Sequence, residues 1–319
     1  MSQPPRNANM VAAVQQAEHD GRIRAATARS LIAAIKAMEG MCGSKGFAAA
    51  IVNKPELLLR CIGHKWPNAF SKQHMIAACT SALKWDPSLG TEATRRFWRD
   101  ALAEAGQATR ACVSHNVLSD REKAAMPSFD AIKAAIGRLN RGTGGPHVDI
   151  RQSLELLWLL IALKVPAKRA DYGQLGVVSA LDKVPGNANA MVVPRSTGGA
   201  VLVLQSYKTQ HIHGRYEEEM PPEVTQAIRA SLAAFPRSHL FVAADGAPFK
   251  SNATWAQWAT RTFEKHLGNR ATVNGLRKAW VQMYGLPGKV THARQVELAR
   301  AMLHSHSVQQ AFYVHVDGE

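Results

Sequence analysis

Residue types that can act on a phosphodiester without a metal ion occur in order along the second half of this chain. They are Arg169, Lys208, Arg277, His304 within Met302-Leu303-His304-Ser305, and Tyr313. A phosphodiester gathers negative charge on its non-bridging oxygens as a nucleophile attacks, and two forked guanidinium groups can neutralise that charge in place of a metal. Arg169 and Arg277 are the candidates for that clamp. A tyrosine hydroxyl, with a reference pKa of about 10, is a poor nucleophile until nearby charge favours its phenolate, and the departing alkoxide needs a proton. Tyr313 and Lys208 fit those two tasks, so the chain is a candidate DNA strand transferase.

Holding these groups together is the work of the elements around them. Residues Asp149–Val165 carry Leu154, Leu156, Leu157, Leu159, Leu160 and Leu163, apolar nearly all round, which predicts a buried helix stopped by Pro166 and delivering Arg169. Short β-rich runs at Val177–Leu181, Met191–Val193 and Ala200–Tyr207, separated by Pro185-Gly186 and Gly198-Gly199, predict a small antiparallel sheet ending at Lys208. Helical patterns follow at Pro222–Phe235, Ala253–Leu267, Val273–Tyr284 and His292–Leu303, with Asn252 and Thr272 as N-cap candidates. Arg277 then falls in the first turns of its helix, where free N–H groups already favour an anion. His304 and Tyr313 are nine positions apart, roughly half a turn out of phase on one helix at about 100° per residue. A break at Ser305–Ser307 is therefore required, leaving Val308–His315 as a short helix that presents the tyrosine.

The first part of the chain reads differently. Residues 1–12, with Pro4 and Pro5, have the composition of a flexible tail. Helical spacing then runs over Arg22–Met38, with Gly40 as a stop, and over Pro55–Ile62, Ser71–Leu83 and Thr91–Ala105. Residues 13–116 thus form a small helical unit. The polar stretch 117–127 reads as a linker, a second helical pattern begins at Ser128, and Asn140–Pro146 reads as a loop. The fold class expected is mainly α with a small antiparallel β-sheet (α+β), the second domain covering 128–319.

Composition narrows the partners. The 319 residues have a net charge of +15, and both parts are basic: residues 1–120 hold 15 Lys+Arg against 9 Asp+Glu, and residues 121–319 hold 24 against 15. Two basic units suit a wrapped polyanion, because each neutralised phosphate releases counterions. No apolar run of about 18 residues and no N-terminal signal pattern points to a membrane or to secretion. Cys42, Cys61, Cys79 and Cys112 form no Cys-x-x-Cys pair and read as reduced thiols inside a cell. Cys61 with His64, and His211 with His213, lack a second half for a metal site. Glu217-Glu218-Glu219 reads as a solvated turn. No cofactor and no metal is expected.

Four stretches resemble the tyrosine recombinases of the phage-integrase superfamily, above all the divergent branch found in crypton-type mobile elements and large DNA viruses. Pro166-Ala167-Lys168-Arg169-Ala170-Asp171-Tyr172 is similar to that branch's signature around the first catalytic arginine. Ser206-Tyr207-Lys208-Thr209, with Gly214 and Met220-Pro221-Pro222 beyond it, resembles the β-hairpin that carries the catalytic lysine. Val273-Asn274-Gly275-Leu276-Arg277-Lys278-Ala279-Trp280 matches at the second arginine, but Asn274 and Lys278 stand where the family more often has histidines. Leu303-His304-Ser305 with Tyr313 is similar to the last box and the nucleophile. The resemblance covers about residues 150–316.

It implies a helical core-binding domain ahead of a catalytic domain, both gripping double-stranded DNA. It further implies a site-specific recombinase or integrase that cleaves and rejoins DNA through a 3′-phosphotyrosine, with Arg169, Lys208, Asn274, Arg277, His304 and Tyr313 in the site. Asn274 can orient phosphate but cannot take up a proton near neutrality. A tetramer on DNA is implied, and with six residues after Tyr313 its assembly is expected to use other surfaces than a C-terminal tail. A location on DNA, in a nucleus or in a virus- or phage-infected cell, goes with that. Two alternatives stay open: type IB topoisomerase-like relaxation by a monomer, and a DNA-binding relative that has lost catalysis. Tyr284 is the second candidate for nucleophile.

Overall fold

The chain's apolar residues gather into two main interiors, and the backbone divides accordingly into units Met1–His115 and Asn116–Glu319. A computed structural model describes residues 10–23, 25–42, 47–86, 89–114, 118–142, 149–169, 171–195 and 198–314.

The first unit is helical among its described residues: α1 (Met10–His19), α2 (Ala25–Cys42), α3 (Phe47–Asn53), α4 (Pro55–Lys65), α5 (Ala69–Trp85) and α6 (Glu92–Ser114). Ile35, Met38, Ile51, Ile62, Ile76 and Trp98 fill its centre. Trp98 on α6 donates its indole N–H to the Ile51 carbonyl at 2.9 Å, so its polar edge costs nothing on burial. Residues 10–12 belong to α1, with Met10 buried, rather than to a tail; Pro4 and Pro5 lie outside the described residues. Gly40 does not stop α2, which runs on to Cys42, because core packing outweighs the helix penalty of about 1 kcal/mol for one glycine. Cys42, Cys61 and Cys79 are free thiols, and the Cys112 side chain lies outside the described residues.

The second unit opens with α7 (Asp120–Ala124), α8 (Phe129–Gly142) and α9 (Ile150–Lys164). The polar stretch expected as a linker is thus in part a helix. Ser119 and Glu122 close a reciprocal capping box on α7. Beyond it, the Ala125 carbonyl accepts from Thr272 N at 3.0 Å, while Asn269 Nδ2 donates to the Ala124 and Met126 carbonyls. Its backbone carbonyls are held by these contacts, while Asp120, Arg121 and Lys123 stay exposed. Residues 140–142 of the expected loop finish α8, and 143–148 lie outside the described residues.

Helix α9 is the central beam of this unit. Leu154, Leu157, Trp158, Leu159 and Ile161 are all buried, and Trp158 meets Tyr172, Trp255 and Phe263 with ring centroids 6.0, 4.9 and 5.5 Å apart. Such pairs each contribute about 0.5–1.5 kcal/mol beyond their buried area. They also fix Tyr172 three positions after Arg169.

Four strands follow, β1 (Gly176–Val178), β2 (Ala190–Val192), β3 (Val201–Leu204) and β4 (Tyr216–Glu219), in the order β1-β2-β3-β4. β2–β3 and β3–β4 are antiparallel, but β1–β2 is parallel, so the sheet is mixed where an antiparallel one was expected. The reason is the connection between β1 and β2, which includes the 3-10 turn Leu181–Lys183: it is long enough to bring the chain back to the end where β1 began. β4 itself corrects the reading of Glu217-Glu218-Glu219 as a solvated turn. Tyr216 and Glu218 are half-buried while Glu217 and Glu219 are exposed, the period-two alternation of a strand. Helix α10 (Gln210–His213) lies between β3 and β4.

The remaining helices are α11 (Pro222–Ala234), α12 (Asn252–Leu267), α13 (Val273–Tyr284), α14 (His292–Ala301) and α15 (His306–Phe312). Thr272 caps α13, but Ser251, not Asn252, caps α12, where its side chain accepts from Thr254 N. No described helix is long and apolar enough to cross a membrane.

Gly275 shows how tightly α13 is pressed on the segment after α7, since a Cβ there would stand 1.8 Å from the Ala125 carbonyl oxygen. Gly275→Ala is expected to lower the stability of the second unit by about 1–3 kcal/mol, as overpacking against backbone does. Urea unfolding followed by tryptophan fluorescence reads this directly, and an unchanged midpoint would mean that α13 does not press there.

Candidate active site

Arg277 is the fifth residue of α13 and is 1% exposed. A buried guanidinium needs partners for its N–H groups, and four residues on three segments supply them. Nη1 donates to the carbonyls of Ala167 at 2.8 Å and Met302 at 2.9 Å, Nη2 to His304 Nδ1 at 2.6 Å, and Nε to the Tyr313 hydroxyl at 3.3 Å. Four of its five N–H groups are thereby occupied, leaving one on Nη2. Burial lowers its pKa, an effect opposed by Tyr313 and Asp171.

The chain between α14 and α15 sets His304 and Tyr313 against this group. The break lies at Met302–Ser305, slightly ahead of the expected Ser305–Ser307, and Ser305 caps α15. At its centre Leu303 has φ 58°, the left-handed region that a non-glycine residue seldom adopts. That conformation costs about 1–3 kcal/mol, comparable to the roughly 1.5–3 kcal/mol from burying a leucine side chain, and Leu303 is buried. Thr209 Oγ1 adds a hydrogen bond to its carbonyl at 3.0 Å. The result places the His304 ring on the Tyr313 ring, centroids 4.9 Å apart and 18° from parallel. Tyr313 is the C-cap of α15, which starts at His306 and ends at Phe312 where Val308–His315 was expected, and His315 lies outside the described residues.

Because a guanidinium nitrogen only donates, His304 Nδ1 accepts and its ring proton lies on Nε2, directed at Gln309 Oε1 3.2 Å away. Burial, then repulsion from Arg277, pushes its pKa down to about 4. His304 is therefore a neutral ring at pH 7, with both nitrogens engaged, and is placed to orient Arg277 and Tyr313 rather than to carry a proton. The Tyr313 hydroxyl in turn donates to Asn274 Oδ1 at 3.4 Å, an amide oxygen that cannot accept a proton near neutrality.

Arg169, Asn274 and Arg277 line one cleft of about 630 Å³ at the start of α13. Arg261 and Arg270 share it, and neither drew attention in the sequence; Gln257, Thr260 and Arg261 fall on one face of α12, the spacing that would have revealed them. Asp171, named in the sequence only as part of the motif at Arg169, is buried beside Arg169 and Arg277; burial raises its pKa to about 6 although both arginines pull it down. Lys208 is the residue that the structure does not bring in. It is exposed, in the turn before α10, and its ammonium has no hydrogen bond or ion pair among the described residues. The neighbouring Thr209 ties that turn to Leu303. Tyr284 packs against Phe129 and Trp280 and makes no contact with Arg277 among the described residues. No cluster of three or more His, Cys, Asp or Glu suited to a metal occurs among the described residues.

No family model matches the sequence, and no curated protein matches it. Among solved structures, the chain is similar to one described as the crystal structure of XerA recombinase, with a TM-score of 0.40 and 14% identity over 97% of this chain and 93% of that one.

The shifted pKa values set opposite pH dependences. Unfolded His304 binds a proton near pH 6.5 and the folded residue only near 4, so its contribution is complete above about 6.5 and is lost as pH falls towards 4. Asp171 runs the other way: its folded carboxyl holds a proton up to about pH 6 that the unfolded one releases near 3.9, so stability falls as pH rises through that range. Urea titrations at pH 4.5 and 7 are expected to show the stability advantage of wild type over His304→Gln shrinking in acid. The difference between wild type and Asp171→Asn should move in wild type's favour over the same interval.

Proposed function

We propose that this protein is a DNA strand transferase of the tyrosine-recombinase type, with Tyr313 as nucleophile. The observation that carries this reading is the convergence of a tyrosine hydroxyl, a buried arginine and a neutral histidine at the edge of an arginine-lined cleft. In the reaction, the Tyr313 oxygen attacks a backbone phosphorus and its proton leaves to solvent. A 3′-phosphotyrosine forms, the bond to the 5′-oxygen breaks, and Lys208 protonates that oxygen. Arg169, whose guanidinium has no hydrogen bond or ion pair among the described residues, and the remaining Nη2 hydrogen of Arg277 take the non-bridging oxygens. Arg277 also stands against the phenol oxygen, where charge develops as its proton departs. Attack by a new 5′-hydroxyl reverses the steps and rejoins DNA, so the phosphodiester energy is conserved without a nucleotide.

Lys208 enters this scheme from an exposed turn, so bound DNA must draw its side chain over the phosphate. Both basic units bind the duplex in this reading, and recombination of two duplexes calls for a tetramer on DNA. The chain's likeness in motif to the crypton and large-virus branch fits an element-encoded integrase. A binding-only relative is the second reading, favoured by the amide of Asn274 as the acceptor of the Tyr313 hydrogen bond. Single-duplex relaxation of the type IB kind would show itself as loss of supercoils without partner sites.

Nicked duplexes tiling the DNA around the encoding gene provide the test. Wild type is expected to give an SDS-stable, metal-independent adduct that Tyr313→Phe abolishes; an adduct that survives in Tyr313→Phe would move the nucleophile elsewhere, Tyr284 first. Tight DNA binding without any adduct would establish the binding-only reading. Lys208→Ala is expected to slow cleavage by about 10²–10⁴, the usual worth of general acid catalysis. A substrate with sulfur in place of the 5′-bridging oxygen, whose thiolate departs unprotonated, should restore the rate.

A further inference from the structure

Lys168 is fully buried, yet its ammonium faces a carboxylate: burial lowers its pKa, and Glu218 opposes that. Removing an ammonium from water costs several kcal/mol, and an apolar side chain of similar volume is often as stable or more so. The charge therefore calls for another explanation than stability. Its surroundings supply one, because the partners of its ammonium come from two separated segments. Nζ lies 2.8 Å from the Glu218 carboxylate of β4 and 3.4 Å from the Tyr216 hydroxyl of the same strand, and it donates to the Ala301 carbonyl at the end of α14. The ammonium also stands 5.1 Å from the Tyr216 ring centroid. Glu218 is one of the inward-facing residues of an otherwise acidic, exposed strand, so its carboxylate is aimed at this lysine rather than at solvent.

Each partner segment leads to a candidate catalytic residue. Arg169 follows Lys168 directly. Glu218 is paired in register with Leu202 of β3, the strand that runs out into the turn bearing Lys208. Ala301 precedes Met302, and the Met302 and Ala167 carbonyls both bind Arg277 Nη1. Two cations on different elements thus bridge the same pair of chain segments one residue apart: Arg277 joins Ala167 to Met302, and Lys168 is joined to Ala301.

We infer that the Lys168–Glu218 ion pair is a positioning strut that holds the Arg169 segment, the Lys208 turn and the His304 segment in mutual register. This rests on the strand-transfer reading for its catalytic consequence, but not for its structural one. Lys168 is a positioning residue: the structure gives its ammonium no place on the cleft that Arg169 and Arg277 line.

Lys168→Met retains the volume and removes the charge; Glu218→Gln retains the strand and removes the pairing. Both are examined by hydrogen exchange, by DNA affinity and by single-turnover cleavage. The strut predicts faster exchange confined to residues 205–214 and 302–305, with α9 and α12 unchanged. It also predicts a loss of cleavage rate on the order of 10²-fold, as displacements of about 1 Å cause, at nearly unchanged DNA affinity. A Lys168→Met/Glu218→Met double variant should be no slower than either single one, since it leaves no charge unpaired. Unchanged exchange in both segments, or exchange raised evenly through the second unit, overturns the proposal. Should Lys168→Met fail to fold, Glu218→Gln carries the same readouts. A wild-type protein that forms no adduct overturns the strand-transfer reading alone, because the exchange pattern still decides whether the ion pair holds these segments.

Discussion

The Arg277 guanidinium is a positive charge enclosed by protein, and the parts of the second unit that matter for chemistry are arranged to satisfy it. Its N–H groups reach the segment after α9, the turn after α14, the His304 ring and the Tyr313 hydroxyl. A buried charge left without such partners would cost several kcal/mol, a large share of a domain's whole stability. Folding and site assembly are therefore one event here: the contacts that make the burial of Arg277 tolerable are the ones that bring His304 and Tyr313 against it. The same arrangement limits Arg277 chemically, because donors committed to carbonyls are not available to a phosphate. Arg169 lines the cleft beside it, so in the strand-transfer proposal it takes most of the phosphate binding.

Electrostatics follow from this placement. A histidine in contact with a buried arginine stays neutral, so His304 acts through shape and hydrogen bonds, stacked on the tyrosine and pinned by Gln309. The Tyr313 hydroxyl donates to the Asn274 amide oxygen, which cannot take up its proton near neutrality. The strained Leu303 belongs to the same economy of geometry, since its left-handed backbone turns the chain sharply enough for His304 and Tyr313 to face one another. Lys168 and Glu218 repeat the motif of a buried charge satisfied from several segments, one residue along the chain from a backbone carbonyl that Arg277 binds.

Much of this was legible in the residues alone. Helical spacing located the long helices, Thr272 announced the start of α13, and the half-turn mismatch between His304 and Tyr313 required the break that the chain makes at Met302–Ser305. The order of Arg169, Arg277, His304 and Tyr313 pointed to residues that the fold does gather. These signals are local: periodicity, caps and turn chemistry act within a few residues, and a linear string records them.

What tertiary structure alone decided is whatever depends on partners distant in sequence. The direction of β2 beside β1 was set by where the connecting chain returns, and the acidic run became β4 because β3 lay ready to pair with it. The polar stretch at α7 became structure because α13 and the residues before it offered donors to its carbonyls. Lys168 reads as one more lysine until its burial is known, and His304 as an ordinary titrating histidine until Arg277 is found against it. The chain thus determined by itself its helices and its order of candidate site residues. Charge state, strand direction and the reach of each side chain were left to the folded structure, because desolvation and pairing are properties of a place in space and not of a position in the chain.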